Sequence, residues 1–330
     1  MGETSKRHHT VPNFYLKRFA SAHRVPRIGA ANVHDGKRVM MPTSNATVRN
    51  NFYALEGHPD GADVFESALS ELEGVAARII NQVTEGVWPL GREDREHLGV
   101  FLAFQLLRGP DTRATMDQSS ESLMSAVITH LGVDGLRRKL LGSGKEVRDA
   151  LIEDLVQRAV QPNGLAVKTT SLGHIEQILE LVPRVMPYLV GRPWALIRFD
   201  RKKLLTCDTP VALVADPDKG DKSGVGVMTA WGIAFPLTRE IGLLLTDPHP
   251  LWEEEEEAGL REPAEVMERT ASGSYDYKAP ASAKMAQLFN THTLANARSW
   301  VFHHPDDAAL IPDRLAPSRD REVEMEVITG

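Results

Sequence analysis

The sequence predicts an α+β fold: a helical block of about five helices, a small, mainly antiparallel sheet block and a closing C-terminal helix. Three observations predict it. Apolar residues recur at helical spacing between residues 64 and 190. Short apolar runs separated by turn residues crowd into 194–246. Helices and strands fall into successive blocks, which is α+β order and not a βαβ alternation.

Residues 8–55 read as irregular chain with short strands. Asp35-Gly36 is a hairpin turn signal between the apolar flanks of Asn32 to Met40. A helix then follows Asp63, with Val64, Phe65, Leu69, Leu72, Ala76, Ile79, Ile80 and Val83 on its inner face, and Gly86 and Pro89 end it. A second begins at 91–95 and stops at Gly109-Pro110. Further helices are predicted over 111–130, 145–160 and 171–189. Beyond Pro193 the pattern changes to strands at 194–199, 204–206, 211–214, 228–235 and 241–246. Glu253 to Glu257 is an acidic run suited to a solvated helix start or loop. The closing helix is predicted over 282–301, and His303-His304 is read as surface. A break at 190–193 separates residues 1–192, the N-terminal segment and helical block, from 193–330, the sheet block with its closing helix. The two parts are expected to pack as one unit.

The chain has 330 residues, 42% hydrophobic and 25% charged, ordinary values for a globular protein. Cys207 is the only cysteine, so no internal disulfide forms, which suits a reducing cytoplasm. The formal net charge of -7 argues against broad binding to nucleic acid or an anionic membrane, while leaving room for a local basic groove. No apolar run reaches the length of a signal or membrane-spanning segment. These features predict a cytoplasmic protein with no membrane partner, and leave its oligomeric state open.

Candidate chemistry begins with His8-His9, followed by Pro12, Tyr15, Lys17 and Arg18. Adjacent side chains of an extended segment point to opposite sides, so one imidazole faces a site while the other faces outward. The inward one is either an acid/base or metal ligand, or a hydrogen-bonded anchor for the N-terminal segment. Glu66 and Glu73 share a helix face, as do Gln105 and Arg108. A buried amide and guanidinium need partners, and Glu66 or Glu73 is the natural one. Arg108 either pairs structurally or holds a substrate carboxylate or phosphate. Asp208 stands where an apolar strand turns, as a ligand-site carboxylate or a turn cap. Cys207 beside it reads as a small buried residue. Asn290, inside an apolar helix, is expected to bond another element. Zinc-hydrolase, nucleotide-loop and nucleophile-elbow signatures are absent from the sequence.

The run His8-His9-Thr10-Val11-Pro12-Asn13-Phe14-Tyr15-Leu16-Lys17-Arg18-Phe19 resembles the N-terminal signature of a bacterial family of unknown function, number 4238. The resemblance continues through Asn51-Phe52-Tyr53, the helix from Glu66 to Glu73, and Phe101-Leu102-Ala103-Phe104-Gln105-Leu106-Leu107-Arg108-Gly109-Pro110. It extends through Asp208-Thr209-Pro210-Val211, Phe235-Pro236-Leu237-Thr238 and the Asn290 to Val301 segment. It implies that His8 or His9, Gln105, Arg108, Asp208 and Asn290 occupy recurrent positions. The family pattern has Ser where this chain has Cys207, which weakens a cysteine nucleophile.

Two functions follow as expectations. One is hydrolysis, with a phosphodiester in nucleic acid as the leading substrate: His8 or His9 as base, Asp208 with Glu66 or Glu73 as orienting groups or as ligands of Mg²⁺ or Mn²⁺, and Arg108 as electrostatic stabiliser. In this reading Tyr15, Gln105 and Asn290 complete the polar cluster. The other is a binding or sensor protein of a bacterial stress or phage-defence module, in which the same residues lock the N-terminal segment in place. A solvent-open pocket favours the first; a buried, satisfied network favours the second.

Overall fold

The computed structural model describes residues 7–50, 52–53, 64–142, 147–161, 164–216, 225–257, 259 and 262–316. The stretch from His58 to Gly61, rich in Gly, Pro and Asp and read from the sequence as a loop, lies outside the described residues, and so do residues 317–330 of the polar, charged C-terminal stretch. Contacts divide the described chain into two units, one within 1–109 and 175–316 and one within 110–174. This division does not coincide with the boundary expected at 192/193.

The fold is α+β. In chain order the first unit begins with β1 (Arg7–His9), α1 (Asn13–Leu16) and a 3₁₀ turn (Lys17–Phe19). Then come β2 (Arg27–Asn32), β3 (Arg38–Pro42) and β4 (Val48–Asn50). The helices α2 (Val64–Thr84) and α3 (Arg92–Leu107) follow. Next are α4 (Pro110–Gly142), α5 (Asp149–Ala159) and α6 (Ser171–Val190), whose part from Ile175 onward returns to the first unit. The remainder is β5 (Trp194–Arg198), β6 (Thr206–Cys207), β7 (Ala212–Val214), β8 (Gly232–Thr238), β9 (Ile241–Leu245), α7 (His249–Glu257), α8 (Pro263–Ala271), β10 (Tyr277–Ala279), α9 (Ala283–Asn296) and β11 (Trp300–His303).

The hairpin at Asp35-Gly36 forms β2 and β3, with Arg27 opposite Pro42 and Ala31 opposite Arg38. Its connection is longer than two residues. Asn32 accepts the His34 and Asp35 N–H groups at 2.8 and 3.3 Å, and Gly36 takes a φ of 69° that its missing β-carbon permits. The hairpin joins a four-stranded sheet ordered β3-β2-β11-β6, which draws on both ends of the chain. A second sheet is ordered β10-β5-β9-β8-β7, and β10–β5 is its one parallel pair among the described strands. β1 and β4 form a two-stranded ribbon.

Two elements differ from expectation. The closing helix stops at Asn296, because Ala297 turns extended and the next residues form β11. His303 is buried rather than on the surface. It lies opposite Gly29 in the β2–β11 register, and its ring fills the space where a β-carbon of residue 29 would stand. The acidic run forms the exposed face of α7, except that Glu255 turns inward and accepts the Tyr275 hydroxyl at 2.8 Å. The helix predicted over 111–130 continues as α4 to Gly142, broken at Gly132, where φ is 62° and ψ -172°.

One core holds the first unit together. Val11, Tyr15 and Phe19 join Leu69 and Ile79 of α2, Phe101 and Leu102 of α3, Trp194, Phe235 and Leu243 of the five-stranded sheet, and Phe289 of α9. Burying each such side chain contributes about 1.5–3 kcal/mol. A smaller apolar cluster, including Ala31, Leu205, Cys207, Val301 and Ile311, forms around the four-stranded sheet. The second unit has its own core of Ile128, Leu136, Ile152, Ala159 and Leu165. No described helix is long and apolar enough to cross a membrane.

Candidate functional site

The opening segment is ordered by pairing. β1 lies against β4 with His8 opposite Arg49 and His9 opposite Val48. Thr10 N–H donates to the Thr47 carbonyl at 3.1 Å, and Thr47 Oγ1 donates to the Val11 carbonyl at 2.9 Å. Pro12 sits in extended geometry at the start of α1. The chain is thus steered inward, so that Tyr15, Leu16 and Phe19 are fully buried.

His8 is 0% exposed. Its Nδ1 accepts the Tyr53 main-chain N–H at 2.8 Å, which places the ring proton on Nε2, and its ring stacks on Tyr53 at 5.7 Å between centroids. The Tyr53 hydroxyl donates to the Arg108 carbonyl at 2.8 Å. Arg108 follows the last residue of α3, where a cation complements the helix C-terminus. Its guanidinium is 1% exposed, and Nη1 donates to Glu73 Oε1 at 2.8 Å. With the Gln105 amide assigned oxygen-inward, the orientation that satisfies both partners, Gln105 accepts from Arg108 Nε at 3.0 Å and Nη2 at 2.8 Å. The helical spacing of Gln105 and Arg108 places both on the buried side of α3, as expected. Of the two α2 carboxylates singled out in the sequence, Glu73 is the one that meets the guanidinium; Glu66 stands in the first turn, seven residues earlier.

His9, on the other side of β1, is half-buried. It lies within electrostatic reach of Glu73 and Arg108 and close to the Ser44 main chain. Burial pushes its imidazole below the ordinary histidine value, against the pull of Ser44 and Glu73. Among the described residues its buried Nε2 has no hydrogen-bond partner. Both histidines therefore border the Arg108 network, and neither is simply an outward-facing residue.

The remaining candidates serve other junctions. Asp208 Oδ1 accepts the Arg298 N–H at 2.9 Å, and Oδ2 accepts those of Ser299 and Trp300 at 2.8 and 3.2 Å. The carboxylate thereby holds the chain as it enters β11. Thr209 and Asn296 bond each other's main chains beside it. The Thr209 methyl lies 3.9 Å from where a β-carbon of Gly109 would stand, so the Arg108 and Asp208 segments do meet. Asn290 accepts the Leu205 N–H at 2.9 Å and donates to the Lys203 carbonyl at 3.0 Å. Tyr15 shares a 2.7 Å hydrogen bond with Thr206 Oγ1 and donates to the Pro236 carbonyl at 2.7 Å, and burial raises its phenol well above the usual value. Cys207 is buried, with Sγ donating to the Thr209 carbonyl at 3.2 Å.

The structure therefore gathers His8, His9, Tyr53, Glu73, Gln105 and Arg108, and assigns Asp208, Asn290 and Tyr15 to separate hydrogen-bonding tasks. Tyr53 was not singled out from the sequence. Its signal was a tyrosine within the Asn51-Phe52-Tyr53 run, whose ring needs a stacking partner and whose hydroxyl needs an acceptor when buried. Among the described residues no three His, Cys, Asp or Glu side chains are grouped as a metal ion would require.

An α+β frame whose buried polar residues tie distant segments together defines the class of protein. The chain matches the family model described as Protein of unknown function (DUF4238) over residues 7–307, and it belongs to that family. No curated protein and no solved structure matches it.

Proposed function

We propose that this chain is a binding protein, of the sensor kind expected in a bacterial stress or defence module, whose signature residues secure the N-terminal segment. The observation that carries this reading is the state of Arg108. Its guanidinium is buried and donates to Glu73 and Gln105, so those donors are not presented to a substrate. The Asp208 carboxylate is likewise committed to three main-chain amides. Among the described residues the donor groups are not gathered as Mg²⁺ or Mn²⁺ ligation would require. The buried lone thiol suits a reducing cytoplasm.

One observation favours hydrolysis as a second reading. His9 combines a lowered proton affinity, a buried Nε2 without a partner among the described residues and a nearby Glu73, the features of a general base. An activity screen on oligonucleotides and esters, with and without Mg²⁺ and Mn²⁺, separates the two. The binding reading expects no turnover. Turnover that vanishes in a folded His9→Ala variant would replace it with the hydrolytic one.

A further inference from the structure

The net charge conceals a sharp segregation. Residues 7–50 carry eight Lys and Arg against one acidic residue, Asp35. The whole chain has 38 Lys and Arg and 45 Asp and Glu, so the rest of it holds 30 against 44. The acidic total is therefore a property of the other elements, and the N-terminal substructure is strongly cationic.

Among the described residues these cations also lack carboxylate partners. Elsewhere arginines pair with carboxylates, as Arg78 does with Asp94, Arg95 with Asp276 and Arg137 with Asp149. None of the eight in 7–50 forms an ion pair among the described residues. Where they are held, neutral oxygens hold them. Arg7 donates to Asn45 Oδ1 at 2.8 Å, Arg27 to the Met40 carbonyl at 2.9 Å, and Arg38 to the Pro312 carbonyl at 2.8 Å. Such contacts orient a guanidinium while leaving its charge and other N–H donors for a ligand. The C-terminal 3₁₀ turn that packs on β2 carries Asp306 and Asp307, but Arg239 and His304 take them up.

The backbone spaces these groups. Arg27 is opposite Pro42 and Arg38 is opposite Ala31, so both belong to one face of the hairpin. They stand four residues apart along β2, about 13 Å at the rise of a strand. Arg24 is exposed in the preceding loop, and Arg7 and Arg49 are exposed on the β1–β4 ribbon. Six of the eight cations are arginines, whose forked donors fit phosphodiester oxygens. Membrane-surface cations ordinarily line one face of an amphipathic helix, whereas these sit on strands and turns.

We infer that the exposed cations of residues 7–50 form a docking surface for the phosphate backbone of nucleic acid. This rests on the binding reading above and names its partner class. The contacts are to backbone phosphates and are insensitive to base sequence.

The test is fluorescence anisotropy of the full chain with labelled duplex DNA, single-stranded DNA and RNA. Neutralising about four phosphates weakens affinity about a hundredfold between roughly 50 and 200 mM salt. The combined Arg24→Glu, Arg27→Glu, Arg38→Glu variant is expected to lower the salt slope by about three and affinity by at least about tenfold. The corresponding glutamine variant, checked for native circular dichroism, shows the same direction if charge reversal disturbs folding. Reversal of Arg138 and Lys139, exposed on α4, is expected to leave affinity unchanged. Absence of binding at low salt overturns the inference. So does equal weakening by the α4 control, or binding to phosphatidylserine vesicles alone. Cleavage of the oligonucleotide in the same samples would instead overturn the non-catalytic reading while leaving the docking surface standing.

Discussion

His174 shows how a single side chain couples stability to pH. It is buried at the start of α6, and burial first, then the positive charge of Arg113, push its imidazole down to about 4; Asp117 opposes without prevailing. An unfolded histidine titrates near about 6.5. As pH falls below that value the unfolded chain takes up the proton first, so folding loses stability toward pH 4 and holds its full contribution above about 6.5. His9, also lowered by burial, acts in the same direction. An NMR titration of the folded protein should give a His174 midpoint near 4, and a His174→Gln variant should lose less stability between about pH 7 and 5 than the parent. A midpoint at the ordinary value would refute the account. At this scale the sequence made part of the site readable. Helical spacing put Gln105 beside Arg108 and required a carboxylate, which Glu73 supplies. The three amides that take up Asp208 lie about ninety residues further on, and no local pattern announces a partner at that range.

Between elements, Arg95 makes a fully buried junction. Its guanidinium reaches from α3 to both oxygens of Asp276 at 2.7 and 3.1 Å, and to the carbonyls of Val190, Ala271 and Arg192. It also lies over the Trp194 ring at 4.3 Å. Asp276 in turn accepts the Trp194 N–H at 2.8 Å, so one ion pair joins α3 to the start of β5 and the approach to β10. Neither side chain is exposed, and burial raises the Asp276 carboxyl although Arg95 pulls the other way. Desolvation therefore consumes much of the attraction, and the pair defines geometry more than it adds stability. Asp276→Ala should destabilise by about 3–5 kcal/mol, because a buried guanidinium is left uncompensated. Arg95→Met with Asp276→Leu should recover much of that loss in chemical denaturation. A double variant as unstable as the single would show that the ion pair itself supplies the stability. The helix was legible from its apolar spacing. The junction was not, because an arginine in the first turn of a helix reads as a solvated residue.

For the whole first unit, the decisive property is that its core is assembled from chain segments far apart in sequence. Val11, Tyr15 and Phe101 precede residue 192, whereas Trp194, Phe235 and Phe289 follow it, and all belong to one apolar cluster. Tyr15 stacks on Phe235 at 5.1 Å and is hydrogen-bonded to Thr206 and Pro236. The four-stranded sheet repeats the theme, since β2 and β3 pair with β11 from near the end of the described chain. The block order of the sequence, short strands, then helices, then a sheet block and a closing helix, was correctly read as α+β. It could not reveal which blocks share a core, since hydrophobic period fixes an element's inner face but not the element that covers it. A consequence follows for the boundary at 192/193. Fragments 1–192 and 193–330 each expose half of a common core, so neither alone can offset its chain entropy. Fragment 193–330 should lack a cooperative thermal transition, and both fragments should bind a hydrophobic dye when expressed alone, any transition of 1–192 being that of the separate core around Ile128 and Ile152. Coexpression should return a complex with a cooperative transition. A sharp transition in isolated 193–330 would mean that the shared core is dispensable to it.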